Sequence, residues 1–350
     1  YSSEESTDVE EEILSPLKEL ETLCKSDNLS IAALREKINL IPKALQGRQI
    51  IKAYSKHPFF HRACMNKNVT LEVVRFILDV CPDAMKRGVV LRTNSAYPLH
   101  CCCLSGDCPD SVIKHILDGY PEAIRYACLI QNGPRHGYGY DYCFEGIPLK
   151  YYLARSKHVN LDTIKMLVEA YPDSLSYSYN RLHIVPIHIL LSNGNISNLQ
   201  EIATYLLDSE PESIRLLDRT DGTLLHLACG NKKVDLALVT LLYDAWPEAM
   251  RLRNNNRSGG RLPIHQLCRN SKLDENASLD ILRFMLDVDP NFPMERDSGG
   301  DLPIHRACIE MSTEFCKELI TAYLKEENDS GDLPILSLLF YEVPFFVEPQ

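Results

Sequence analysis

No stretch of the 350 residues approaches eighteen consecutive apolar side chains, and mean hydropathy is slightly negative at -0.18, so a bilayer-spanning helix is excluded. Basic charge is scarce as well: 37 Lys and Arg stand against 48 Asp and Glu, for a net charge of -11. A chain of that sign is repelled by phosphate backbones and acidic headgroups unless its bases gather in one stripe, so neither nucleic acid nor membrane insertion is expected. Also missing are a Gly-rich phosphate loop, a nucleophile elbow and a kinase signature. Gly137-Tyr138-Gly139-Tyr140 follows no strand and opens no helix, so it is not a dinucleotide fingerprint. No catalytic residue, cofactor or metal is expected, and the chain does not read as an enzyme. The first residue is Tyr, so the lack of a targeting segment carries no weight.

Cysteine, by contrast, is plentiful. Thirteen residues is an odd number, and Cys101, Cys102 and Cys103 are adjacent, which suits reduced thiols in cytoplasm or nucleus rather than a secreted disulfide framework. Acidic residues crowd the start: Glu4, Glu5, Asp8, Glu10, Glu11 and Glu12 lie there without a base among them, and residues 1–12 are expected to form a disordered acidic tail.

The dominant feature is a repeat. Pro98-Leu99-His100, Pro186-Ile187-His188, Pro263-Ile264-His265 and Pro303-Ile304-His305 share one string, with variants ending at His61, Lys150, His226 and Leu336. The third position of this string advances by 38 to 40 residues, apart from a step of 50 to Lys150 and of 31 to Leu336. A second string keeps the same beat: Cys81-Pro82-Asp83-Ala84, Tyr120-Pro121-Glu122-Ala123, Tyr171-Pro172-Asp173-Ser174, Glu210-Pro211-Glu212-Ser213, Trp246-Pro247-Glu248-Ala249 and Asp289-Pro290-Asn291. Between the two, Leu71, Val74, Ile77, Leu78 and Cys81 mark one face of a helix, with Thr70 as its N-cap. Asn160, Asn198 and Ser278 occupy the same place in other units. Proline in the second string ends this helix and opens a short turn, and Asp221-Gly222, Ser258-Gly259-Gly260, Ser298-Gly299-Gly300 and Ser330-Gly331 read as tight turns. Each unit is thus helix, turn, helix, long loop.

Asp297-Ser298-Gly299-Gly300-Asp301-Leu302-Pro303-Ile304-His305-Arg306-Ala307-Cys308 and Asp221-Gly222-Thr223-Leu224-Leu225-His226-Leu227-Ala228-Cys229 resemble the turn and first helix of ankyrin repeats. The resemblance covers roughly residues 13–340. It departs in its longer period, in Leu for Thr at Leu262, Leu302 and Leu333, and in lacking a regular Gly after the first helix. It implies an all-α, ankyrin-type helical repeat solenoid of about nine helix-turn-helix units. The expected divisions are a capping helix pair at 13–57, the repeat array at 58–332, and a C-terminal half repeat with an apolar tail at 333–350.

The resemblance also implies that the repeat imidazoles of His61, His100, His188, His226, His265 and His305 bond the backbone of adjoining turns. Cys64, Cys103, Cys229, Cys268 and Cys308 sit three residues further on, where a small core side chain is wanted. The function such a stack implies is noncatalytic protein binding, as scaffold or adaptor, through the concave face and the turn fingers. Candidate contacts are Arg62, Gln266 and Arg306, which directly follow the repeat His. A second set, Arg135, His136, Tyr138, Tyr140, Tyr142 and Phe144, lies in the insertion that lengthens one finger, with the composition of binding loops. Two alternatives stay open: a structural subunit of a larger assembly, suggested by the apolar run 336–347, and a thiol or zinc sensor centred on Cys101–Cys108.

Overall fold

The computed structural model describes residues 4–39, 58–90, 95–130, 144–155, 159–178, 184–255, 257 and 259–330. The chain divides into two compact units, one of residues 1–181 and 185–202 and one of residues 182–184 and 203–350.

In unit 1 the helices are α1 (Glu4–Lys25), α2 (Ile31–Asn39), α3 (Phe59–Cys64), α4 (Leu71–Val80), α5 (Pro98–Ser105), α6 (Asp110–Gly119), α7 (Pro148–Arg155), α8 (Leu161–Ala170) and α9 (Pro186–Ser192). A helix α10 (Leu199–Ser209) crosses the boundary. Unit 2 holds α11 (Leu224–Cys229), α12 (Leu236–Ala245), α13 (Pro263–Leu267), α14 (Glu275–Val288), α15 (Pro303–Glu310) and α16 (Thr313–Ser330). Within each unit the short motif helices pack on one another and on the longer helices that follow them, the ankyrin-type arrangement of helix pairs.

The local causes are visible in the caps and buried faces. Thr70 Oγ1 accepts the Val73 N–H at 3.2 Å, Asn160 Oδ1 the Asp162 N–H at 2.8 Å and Asp235 Oδ1 the Leu238 N–H at 2.9 Å. Val73, Val74 and Ile77 of α4 face inward, as do Val112, Ile113 and Ile116 of α6. Burial of such side chains is worth about 1.5–3 kcal/mol each. After α14 the turn Phe292–Met294 begins two residues past Pro290, whereas after α4, α6, α8, α10 and α12 the proline opens a 3-10 turn: Pro82–Lys86, Pro121–Arg125 and Pro172–Ser174 in unit 1, Pro211–Arg215 and Pro247–Arg251 in unit 2. Its ring occupies a position with no intrahelical N–H to lose, and the two residues after the acid, such as Ala84 with Met85, are buried.

Three expectations need correction. Residues 4–12 are helical, as the start of α1, rather than a disordered tail; glutamates are good helix formers and their charge is favoured at a helix N-terminus. Ser278 is not an N-cap, because α14 starts earlier: Asp274 Oδ1 caps the Ala277 N–H at 3.1 Å, and Ser278 Oγ donates to the Glu275 carbonyl inside the helix. The loops of unit 1 are not wholly irregular. β1 (Val89–Val90) pairs antiparallel with β2 (Ser95–Ala96), and β3 (Cys128–Ile130) with β4 (Phe144–Gly146). Strands of two or three residues are too short for an alternating pattern to announce them.

Fingers in unit 2 are held differently. Asp218 Oδ1 accepts the Thr220 and Gly222 N–H groups, and Asp297 Oδ1 those of Gly299 and Asp301, so one carboxylate ties each turn. The tips then bond one another, Asn255 N–H to the Thr220 carbonyl at 2.7 Å and Ser298 N–H to the Gly259 carbonyl at 2.8 Å. Gly259 adopts φ +100°, which an L side chain rarely takes.

Candidate functional site

Four of the repeat histidines, His61, His100, His226 and His265, are ties between neighbouring repeats. Nδ1 accepts the backbone N–H three residues earlier: Tyr97 to His100 at 3.3 Å, Val185 to His188 at 3.3 Å, Thr223 to His226 at 3.1 Å, Leu262 to His265 at 3.2 Å and Leu302 to His305 at 3.2 Å. That acceptor role places the ring proton on Nε2. From there His61 donates to the Ala96 carbonyl at 3.0 Å, His100 to Tyr126 at 2.7 Å, His226 to Arg261 at 2.8 Å and His265 to Glu295 at 3.1 Å. Burial pushes His61, His100 and His265 down to about 4, and His226 downward as well. A ring locked neutral with both nitrogens engaged is a poor proton shuttle near neutral pH.

The irregular repeat substitutes Lys150 at this position. Its side chain is 3% exposed, and Nζ stands 5.1 Å from the Tyr177 ring centroid, so the face of an aromatic receives the buried charge.

Two further periodic ties went unread in the sequence. Five residues after the repeat His comes a buried Asn whose Nδ2 reaches back to the preceding repeat. Asn66 donates to the Cys24 and Ser26 carbonyls at 2.9 and 2.7 Å, Asn193 to Leu153 at 2.8 Å, and Asn270 to Cys229 and Asn231 at 2.9 and 3.0 Å. The signal was present as Asn at 66, 193, 231 and 270, at a fixed offset from the motif. In the second string, the basic residue four places after proline lies over an aromatic ring of the next repeat: Arg125 over Tyr171 at 5.4 Å, Arg215 over Trp246 at 5.5 Å and Arg251 over Phe292 at 5.7 Å.

Cys64, Cys101, Cys102, Cys103, Cys128, Cys229 and Cys268 are buried, as packing requires, whereas Cys308 is exposed. Burial raises Cys24 and Cys229 to about 12 and moves Cys101, Cys102 and Cys103 up too. Such thiols carry little thiolate near neutral pH. Among the described residues, no three His, Cys, Asp or Glu side chains are placed to hold a metal ion.

Of the candidate contacts, Arg62 is half-buried in unit 1 and paired through Nε with Glu21 at 3.3 Å. In unit 2, Gln266 is half-buried, and Arg306 is half-buried with Nη2 at 2.5 Å from Asp301. Both guanidinium groups are thus tied within their own unit. Arg135, His136, Tyr138, Tyr140 and Tyr142 lie outside the described residues, as does the apolar run 336–347; Phe144 is the first residue of β4. Just before β3, whose partner strand closes this finger, unit 1 presents an aromatic group. Tyr97 stacks on Tyr126 with ring centroids 4.8 Å apart, Tyr120 leans on Tyr97 at 5.8 Å, and Tyr126 is 46% exposed. A second surface feature of unit 1 is a polar groove of about 510 Å³ at the starts of α6 and α8, open to solvent, where Asp110 accepts from Tyr152 Oη and Asn160 Nδ2. Its wet, carboxylate-rich lining is unlike the apolar enclosure of a small-molecule site.

Comparison with known proteins gives the following. No protein-family model matches the chain, and no curated protein matches it. Among solved structures, the ankyrin repeat domain of human ASB11 is similar, with 18% identity, 75% of this chain and 96% of that chain covered, and a TM-score of 0.49. No helix among the described residues is long and apolar enough to cross a membrane.

Proposed function

We propose that the protein is a noncatalytic scaffold or adaptor that holds a protein partner, with the insertion at 132–144 and the tyrosine surface beside β3 as the principal contact. The observation that carries this reading is the exposed Tyr126 stacked on the half-buried Tyr97, with the half-buried Tyr120 beside it, next to β3. Tyrosine gives large contact area at small entropic cost and is enriched where proteins meet. Arg135, Tyr138, Tyr140 and Tyr142, which lie outside the described residues, give the insertion the same composition. The buried histidines support the noncatalytic half of the reading, since their ring nitrogens are engaged in holding repeats together.

The test is affinity capture from source cells with the intact chain, beside one in which residues 133–144 are replaced by a short Gly-Ser turn and another carrying Tyr126→Ala. A specific protein held by the intact chain, lost from the first variant and weakened at least tenfold in the second, is the expected result. Equal capture by all three would remove the finger and its tyrosines from the interface. Turnover of a small molecule by the intact chain, abolished by His100→Gln, would overturn the noncatalytic reading.

A further inference from the structure

At two of the 3-10 turns the ring just before the proline carries a cation of the chain itself. Tyr171 and Trp246 stand directly before Pro172 and Pro247. Arg125 and Arg215, each four places after the turn proline of the preceding repeat, lie over them at 5.4 and 5.5 Å. In unit 1 Tyr120 holds the same place before Pro121, and Lys86 the place four after Pro82. Lys86 is exposed, and among the described residues no cation lies over Tyr120, Tyr97 or Tyr126. The two cation types account for the difference: an ammonium is compact and strongly hydrated, whereas a planar, weakly hydrated guanidinium stacks on aromatic faces.

In place of a cation, Tyr120 has other rings. Tyr97 lies 5.8 Å from it and stacks on Tyr126 at 4.8 Å, and Tyr126 is 46% exposed. Glu122, exposed on the same turn, lies close enough to act on the Tyr120 hydroxyl, which burial, the Tyr126 and Tyr97 phenols and this carboxylate together push up. An exposed aromatic surface beside a carboxylate, on a chain of net charge -11, complements a positive side chain. We propose, resting on the scaffold reading above, that the partner held at this surface contributes an arginine, its guanidinium over the Tyr126 ring as Arg125 lies over Tyr171, with Glu122 as the nearby counter-charge.

The experiment uses the full chain with carbon-13 in its tyrosine rings, titrated with the peptide Gly-Arg-Gly-Arg-Gly and with the same peptide carrying neutral citrulline for arginine. Expected are shifts of the Tyr126 and Tyr120 ring signals with the first peptide, and binding weaker by about fivefold or more with the second. Tyr126→Phe, which keeps the ring, should bind within about twofold of the native chain, and Tyr126→Leu should lose about fivefold or more. Ring signals that stay put, that follow both peptides equally, or whose response survives Tyr126→Leu overturn the proposal. Binding that appears only in Lys86→Gln, Arg92→Gln or Arg135→Gln gives the surface to a cation of this chain and overturns it as well. Should Tyr126→Leu fail to fold, the two peptides on the native chain decide. A captured partner that Tyr126→Ala releases but the saturating arginine peptide does not leaves the scaffold reading standing and overturns the guanidinium contact, whereas capture indifferent to Tyr126→Ala overturns both.

Discussion

Lowering the pH from 7 to 5 tests the histidine ties quantitatively. The neutral His100 imidazole is bonded at both nitrogens, so protonation of its Nδ1 turns an acceptor against the Tyr97 N–H it receives, while His61 is held through Nε2 to the Ala96 carbonyl. His61 and His100 in unit 1 are held at about 4 against an ordinary 6.5. Their folded values lie below their unfolded ones, so the stabilisation is complete above pH 6.5 and is lost as the pH falls from 6.5 toward 4. In that window the unfolded chain binds protons that the folded chain refuses. Between pH 7 and 5 this costs about 2 kcal/mol per ring, hence about 4 kcal/mol for the pair. That is a large share of the roughly 5–15 kcal/mol that holds a typical domain. Urea unfolding of the full chain at pH 7, 6 and 5, followed by far-UV circular dichroism and by exchange of unit 1 amides, measures it. His61→Gln/His100→Gln removes both titrations, so the variant starts weaker and shows a slope at least twofold smaller. A wild-type unit 1 whose stability is flat from pH 7 to 5 would refute the reasoning.

Three other outcomes follow from single contacts. Asn270→Ala leaves two buried carbonyls without their donor and should destabilise unit 2 by about 2–3 kcal/mol, read as a shift in urea midpoint; Asn276→Ala on exposed helix surface should stay within about 0.5 kcal/mol. Arg215→Ala removes the cation over the only Trp in the chain, so Trp246 emission should shift in position or intensity while far-UV circular dichroism is unchanged; unaltered emission would deny the contact. Gly106→Ala places a Cβ 2.5 Å from the Arg155 carbonyl oxygen at φ +78°, and a loss of more than about 1 kcal/mol is expected in thermal or urea unfolding of unit 1.

The repeat was legible because two proline strings recur in phase, and such strings mark obligatory backbone events: a helix start that needs no N–H and a turn that ends the previous helix. His and Cys positions were legible for the same reason, through their fixed offset from Pro. The Asn66, Asn193 and Asn270 tie carried an equally regular signal, yet a lone polar residue near a helix end reads as surface until its burial is seen. The stacking of Arg215 on Trp246 joins residues of successive repeats, a pairing that requires the stagger between repeats and cannot be read within one repeat. Arg62 and Arg306 illustrate the converse. Variation beside the motif marked them as surface contacts, but each sits within reach of an acid, Glu21 or Asp301, that only the packing reveals. At the N-terminus composition misled, because a run of glutamates suits both a solvated tail and the first turns of a helix.

The most direct test of the central claim, that the repeated histidines hold the fold rather than perform chemistry, is nitrogen-15 NMR of the imidazole rings between pH 7.5 and 5. For His61, His100, His226 and His265 the account predicts the neutral tautomer with its proton on Nε2, slow exchange of that proton, and no titration before the protein unfolds. A ring among the four that titrates reversibly near its ordinary 6.5 in the folded chain, with its Nε2 proton exchanging freely, would contradict the account.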